Sequence, residues 1–84
     1  MNREDIKKAV GEAISRYAPE ADLCALSEEA VLREELDLDS MDFLNVVTEL
    51  HQKLRVDVPE TDYGKMATLR SCVDYLCARL GVSS

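Results

Sequence analysis

Residues 39–54 read Asp39-Ser40-Met41-Asp42-Phe43-Leu44-Asn45-Val46-Val47-Thr48-Glu49-Leu50-His51-Gln52-Lys53-Leu54. The spacing predicts an amphipathic helix over Ser40 to Leu54, with Leu44, Val47, Leu50 and Leu54 along one face. Asp39 is a good N-cap, because its carboxylate can accept a first-turn backbone N–H. Asp42 places negative charge where the helix dipole favours it. Downstream, Val58-Pro59 breaks the chain, and Glu60 to Gly64 has room for a turn or two of helix. Thr68 then caps a last helix whose core stripe is Leu69, Val73, Leu76 and Leu80. Gly81 ends it, as a residue free to take positive φ.

Upstream, Ile6, Val10, Ala13, Ile14 and Tyr17 recur at three- and four-residue spacing, which predicts a helix from Arg3 to Ala18, stopped by Pro19. Residues 19–39 form a long connection. A bare loop of that length is unusual in a small domain. Leu23, Leu26, Val31, Leu32, Leu36 and Leu38 can pin it to the bundle, and a short helical turn can start near Ser27. The expected fold is all-α: a small four-helix bundle of three longer helices and one short one, with residues 1–84 as a single domain.

The chain has 84 residues and a net charge of −7. That length allows one compact domain with a small core. Apolar residues make up 46%, too many for a disordered acidic tail. The negative charge argues against nucleic acid and against an anionic membrane surface, since phosphates are held by clustered Lys and Arg. It suits basic protein surfaces, which long-range attraction helps to find. The charged N-terminus lacks the apolar run of a signal peptide, and no apolar stretch nears the roughly 20 residues that span a bilayer. Cys24, Cys72 and Cys77 are an odd count at unremarkable spacing, so a disulfide framework is not expected. These features point to a cytoplasmic, monomeric protein.

The acidity is concentrated. Glu28, Glu29, Glu34, Glu35, Asp37, Asp39 and Asp42 face one base, Arg33, so this window carries −6 of the −7. A solvated surface and a docking patch for basic partners both explain such a window, and charge alone does not separate them.

Metal and catalytic sites find little support. Asp37-Leu-Asp39-Ser-Met41-Asp42 superficially resembles a calcium loop, but Met41 and Asp42 stand where that pattern needs an oxygen ligand and Gly. Cys72 and Cys77 lie off a common ligand face of their helix and read as small core residues. A nucleophilic Ser40 would need a base within hydrogen-bond reach. The single histidine, His51, lies about 16 Å along the same helix at 1.5 Å per residue, and reads as solvent-facing.

Ser40 itself opens the helix, so its hydroxyl is expected to be exposed, and a phosphate attached there would sit near the positive end of the helix. A first-turn serine with no further role has the same local pattern. The wider run Leu32-Arg-Glu-Glu-Leu36-Asp-Leu38-Asp39-Ser40-Met41-Asp42 resembles the prosthetic-group site of acyl carrier proteins. There an Asp-Ser-Leu triplet opens the second helix and its serine carries 4′-phosphopantetheine. Val58-Pro59 is similar to the family's Ile-Pro, and Thr68-Leu69 with Val73-Asp74-Tyr75-Leu76 is similar to its final helix. The resemblance spans nearly the whole chain and suits a free-standing carrier.

The chain departs from the pattern at three places. Asp37 stands in the usual Gly position, where Asp tolerates unusual backbone angles. Met41 replaces Leu with little change in volume. Beyond Asp42, the exposed face of the helix shows Asn45, Thr48, His51 and Gln52, with Glu49 as its one acid. Such a face suits a carrier with dedicated partners better than a housekeeping fatty-acid one.

The resemblance implies no catalysis by the chain. It implies a phosphopantetheinyl transferase acting on Ser40 with coenzyme A as donor, and acyl or aminoacyl cargo held as a thioester. It also implies acyl-loading and acyl-processing enzymes with basic docking surfaces, met by Asp39, Met41 and Asp42. Any sequestered chain would lie between the later helices, against Leu44, Val47, Leu69 and Val73. A non-covalent acidic interaction module explains charge and size equally well, but leaves the match around Ser40 as coincidence.

Overall fold

The computed structural model describes residues 2–19 and 26–82, so Leu23 and Cys24 fall outside the described residues. Four α-helices and one 3₁₀ helix follow in order: α1 (Arg3–Ser15), α2 (Leu32–Glu35), α3 (Ser40–Leu54), the 3₁₀ helix (Glu60–Met66) and α4 (Leu69–Leu80). The three longer helices stand where their periodicity places them, and α1 packs against both α3 and α4. No strand forms among the described residues. An isolated bridge between Val31 and Thr68 instead ties the connection to the start of α4. Leu32 N–H donates to Ala67 O (2.9 Å) and Arg70 N–H to Glu28 O (2.9 Å).

Capping sets the ends. Asn2 and Asp5 form a reciprocal capping box on α1, and Thr68 and Ser71 form another on α4. Gly81 takes φ 71°, and Val82 N–H returns to Cys77 O at 2.9 Å, which closes α4 as the sequence predicts. α1 stops at Ser15 rather than Ala18. Tyr17 and Ala18 both donate back to Ile14 O in irregular turns, because the residue before Pro19 is pushed out of the helical region. The turn near Ser27 is a single reverse turn, with Ala30 N–H on Ser27 O, and the one-turn helix comes later, at α2.

The core is formed by Ile6, Val10 and Ile14 of α1, Leu50 and its neighbours on α3, Met66, and Val73 and Leu76 of α4. Leu32 and Leu38 anchor the connection and are buried, while Val31 is exposed. Cys72 and Cys77 are buried free thiols, and burial pushes Cys72 up to about 12. The predicted stripe of α3 needs one correction. Phe43, Val46, Val47, Leu50 and Leu54 are buried, whereas Leu44 is 40% exposed. Phe43 takes the inward position one residue earlier, its ring edge-on to Tyr63 with centroids 6.1 Å apart. Tyr75 hydroxyl donates to Asp62 at 2.5 Å and holds the 3₁₀ helix onto α4; this bond keeps the Asp62 carboxyl below its usual value.

Candidate functional site

The site is built by the turn between α2 and α3. Leu36 ends α2, Asp37 takes φ 53°, and Leu38 N–H reaches back to Arg33 O at 3.0 Å. This is the hydrogen-bond pattern of a left-handed helix stop, with Asp in the place that Gly most often fills. The reversal buries Leu38 and delivers Asp39 to the start of α3. Asp37→Gly is expected to leave stability unchanged or slightly higher. Asp37→Val, a β-branched residue in the left-handed region, should cost about 1–2 kcal/mol. Thermal melts of the two variants check this, and a Val variant as stable as wild type would mean that the left-handed angle at residue 37 does not set the turn.

Asp39 is the N-cap, its carboxylate accepting Asp42 N–H at 2.7 Å. Ser40 is therefore the first helical residue and free of capping duty. Its side chain is exposed, and Arg33 Nη2 donates to its Oγ at 3.0 Å. Met41 is 63% exposed beside it, and Leu44 follows one turn on. Asp42 is half-buried. A cleft of about 350 Å³ opens here, lined by Arg33, Ser40, Leu44, Glu60 and Tyr63. The sequence places Ser40, Asp39, Met41 and Asp42 together, and the structure does so as well. The cleft walls supplied by Leu44, Glu60 and Tyr63 are not legible in the sequence. Arg33 stands out there as the lone base of the acidic window, which is the available signal for its place at the site.

Leu44 does not share a lining with Val47, Leu69 and Val73. Those three are buried core, and Leu44 faces the cleft. His51 is exposed but not idle, since its Nδ1 donates to Val56 O at 2.8 Å and braces the turn where Arg55 takes φ 55°. The acidic window divides in two. Glu28 pairs with Arg3 (3.4 Å) and Lys7 (3.8 Å), and Glu29 pairs with Arg70 (2.8 Å). Those acids join the connection to α1 and α4. The others lie on α2, in the turn and at the start of α3, on the side that holds Ser40.

The small helical bundle thus presents an exposed hydroxyl beside a cleft of mixed lining, with a guanidinium as its hydrogen-bond partner. A family model described as a phosphopantetheine attachment site matches residues 4–76. The acyl carrier protein of Rubrobacter xylanophilus is 30% identical over 76 residues, covering 90% of this chain and 93% of that one. That of Campylobacter lari is 30% identical over 73 residues, covering 87% and 88%. A solved structure of the acyl carrier protein from Enterococcus faecalis superposes with a TM-score of 0.81 at 23% identity, covering 94% of this chain and 99% of that one.

The chain belongs to the acyl carrier protein family. Its cofactor is accordingly 4′-phosphopantetheine, and its partners include a phosphopantetheinyl transferase and acyl-processing enzymes. The residues at the cleft fit that group: an exposed hydroxyl to esterify, a guanidinium beside it, and walls from Leu44 and Tyr63. The reading of a non-covalent interaction module is not favoured.

Proposed function

We propose that Ser40 is the attachment residue, in a single carrier domain spanning residues 1–84 that works as a monomer in the cytoplasm. The observation that carries this is the exposed Ser40 hydroxyl at the start of α3, inside the stretch matched by the attachment-site family. Buried free thiols at Cys72 and Cys77 suit a reducing compartment. When bound, the group supplies a thiol on a flexible arm, which holds acyl or aminoacyl cargo as a thioester. In the attachment step the Ser40 oxygen gains a bond to phosphorus, and coenzyme A loses its adenosine bisphosphate. The hydroxyl proton passes to a base on the transferase. Arg33 donates to this oxygen and has no lone pair to accept with. The pathway is a specialised lipid, polyketide or related one, consistent with the nearly neutral face of α3 beyond Asp42.

The test is loading with coenzyme A and a broad-specificity phosphopantetheinyl transferase, followed by intact-mass and tryptic-peptide analysis. The mass should rise by one phosphopantetheine, and the adduct should map to residues 34–53. No adduct across several transferases would overturn the assignment.

Asp39, Met41 and Asp42 form the docking contact, an exposed apolar side chain between two acids. Steering by the acids predicts that an Asp39→Asn, Asp42→Asn double variant loads about 3- to 10-fold slower at low ionic strength, with the gap closing as salt rises. Asparagine keeps the cap acceptor, so helix α3 survives the change. Asn45→Ala with Gln52→Ala, farther along α3, should load at the wild-type rate. Equal rates for the acid double variant at low salt would make the acidic window a solubility feature.

A further inference from the structure

Arg33 is a cation in the most acidic part of the chain, with Glu34, Glu35, Asp37 and Asp39 within six residues. Even so, no carboxylate among the described residues pairs with it. Its guanidinium turns instead to a neutral partner, Ser40 Oγ. Its backbone carbonyl is held by Leu38 N–H, so the main chain beneath the side chain is fixed by the same turn that positions Ser40. One N–H of five is used in the contact, which leaves the planar fork free to donate further.

We infer that Arg33 is a positioning residue that clamps the phosphodiester formed on Ser40 and aims the arm along the cleft between Leu44 and Tyr63. This rests on Ser40 being the attachment residue. Esterification removes the hydroxyl and puts two phosphate oxygens, which share one negative charge, two bonds beyond Oγ. A guanidinium that already reaches Oγ then meets acceptors far better than the hydroxyl it replaces. The charge balance points the same way. A phosphodiester adds one negative charge to a stretch already carrying a net −6, and Arg33 is the base that this stretch contains. Without it, loading would set the phosphate against Asp39 and Asp42 unscreened.

The experiment uses the full chain, wild type and as Arg33→Gln and Arg33→Lys, each loaded from coenzyme A and checked by mass at Ser40. Side-chain Nε–Hε spectra of ¹⁵N-labelled protein report on the arginines individually, with five others as internal references. Loading should shift the Arg33 resonance, identified by its loss in Arg33→Gln, and leave the others nearly in place. Melting of apo and loaded forms at low salt gives the second readout. The change in melting temperature on loading should be less favourable in Arg33→Gln than in wild type by about 2–4 °C, with Arg33→Lys between them. Comparing loaded with apo within each protein cancels any effect of the substitution on the bundle itself. An Arg33 resonance that loading does not move, or melting changes equal in all three proteins, overturns the clamp. Absence of an adduct at Ser40 overturns the attachment assignment instead, and the clamp with it.

Discussion

Ser40→Ala is expected to reduce the coenzyme A-dependent mass gain to zero while keeping the melting temperature within about 2–4 °C of wild type. The two effects have separate physical causes. The hydroxyl is the group that would be esterified, and alanine offers no replacement. The fold does not depend on it, because Asp39 and not Ser40 caps α3. Alanine is a good first-turn residue, and removing the hydroxyl forfeits one exposed hydrogen bond from Arg33. The other hydroxyl in residues 34–53 belongs to Thr48, which donates to Leu44 O at 2.9 Å within the helix. It is a poor substitute. Asp39→Ala makes the complementary control: it should cost about 1 kcal/mol of stability and still accept the group. A mass gain that persists in Ser40→Ala would move the attachment elsewhere.

What the sequence resolves at this site is local, and what escapes it comes from contacts across the fold. The bounds of α3, its Asp39 cap, the Thr68 cap and the Gly81 stop are each decided by side chains within one turn of where they act. Asp37 is the same kind of case: the family's Gly position predicts an unusual backbone angle, and φ is 53°. The periodic apolar pattern of α1 runs on to Tyr17 and carries the predicted helix to Ala18, three residues past its end at Ser15, while the restriction from Pro19 reaches back through Ala18. Val31 meeting Thr68 is a pairing between segments far apart in sequence, and no period in either segment encodes it. The Arg33 contact spans seven residues through a turn, so its charge is legible and its aim is not.

The rotation of α3 is the point at which sequence and structure part, and stability can test it directly. Leu44, Val47, Leu50 and Leu54 form one acceptable apolar stripe, but Phe43 and Val46 compete for the same core. Turning the helix to bury the larger aromatic sends Leu44 outward. Leu50→Ala should therefore cost about 2–5 kcal/mol, since Leu50 is fully buried and its loss leaves a cavity between packed helices. Against the roughly 4–13 kcal/mol expected of a domain this size, that is a large share, read as a fall in melting temperature of about 10–30 °C. Leu44→Ala should change stability by no more than about 0.5 kcal/mol, because the side chain is 40% exposed and alanine favours the helix. The same substitution removes an apolar wall of the cleft beside Ser40. On the proposed course of the arm, its effect belongs to the loaded form, where the arm would have less surface to lie against, and not to the fold. Equal melting losses from Leu44→Ala and Leu50→Ala would mean that α3 is turned the other way and that the cleft loses its wall.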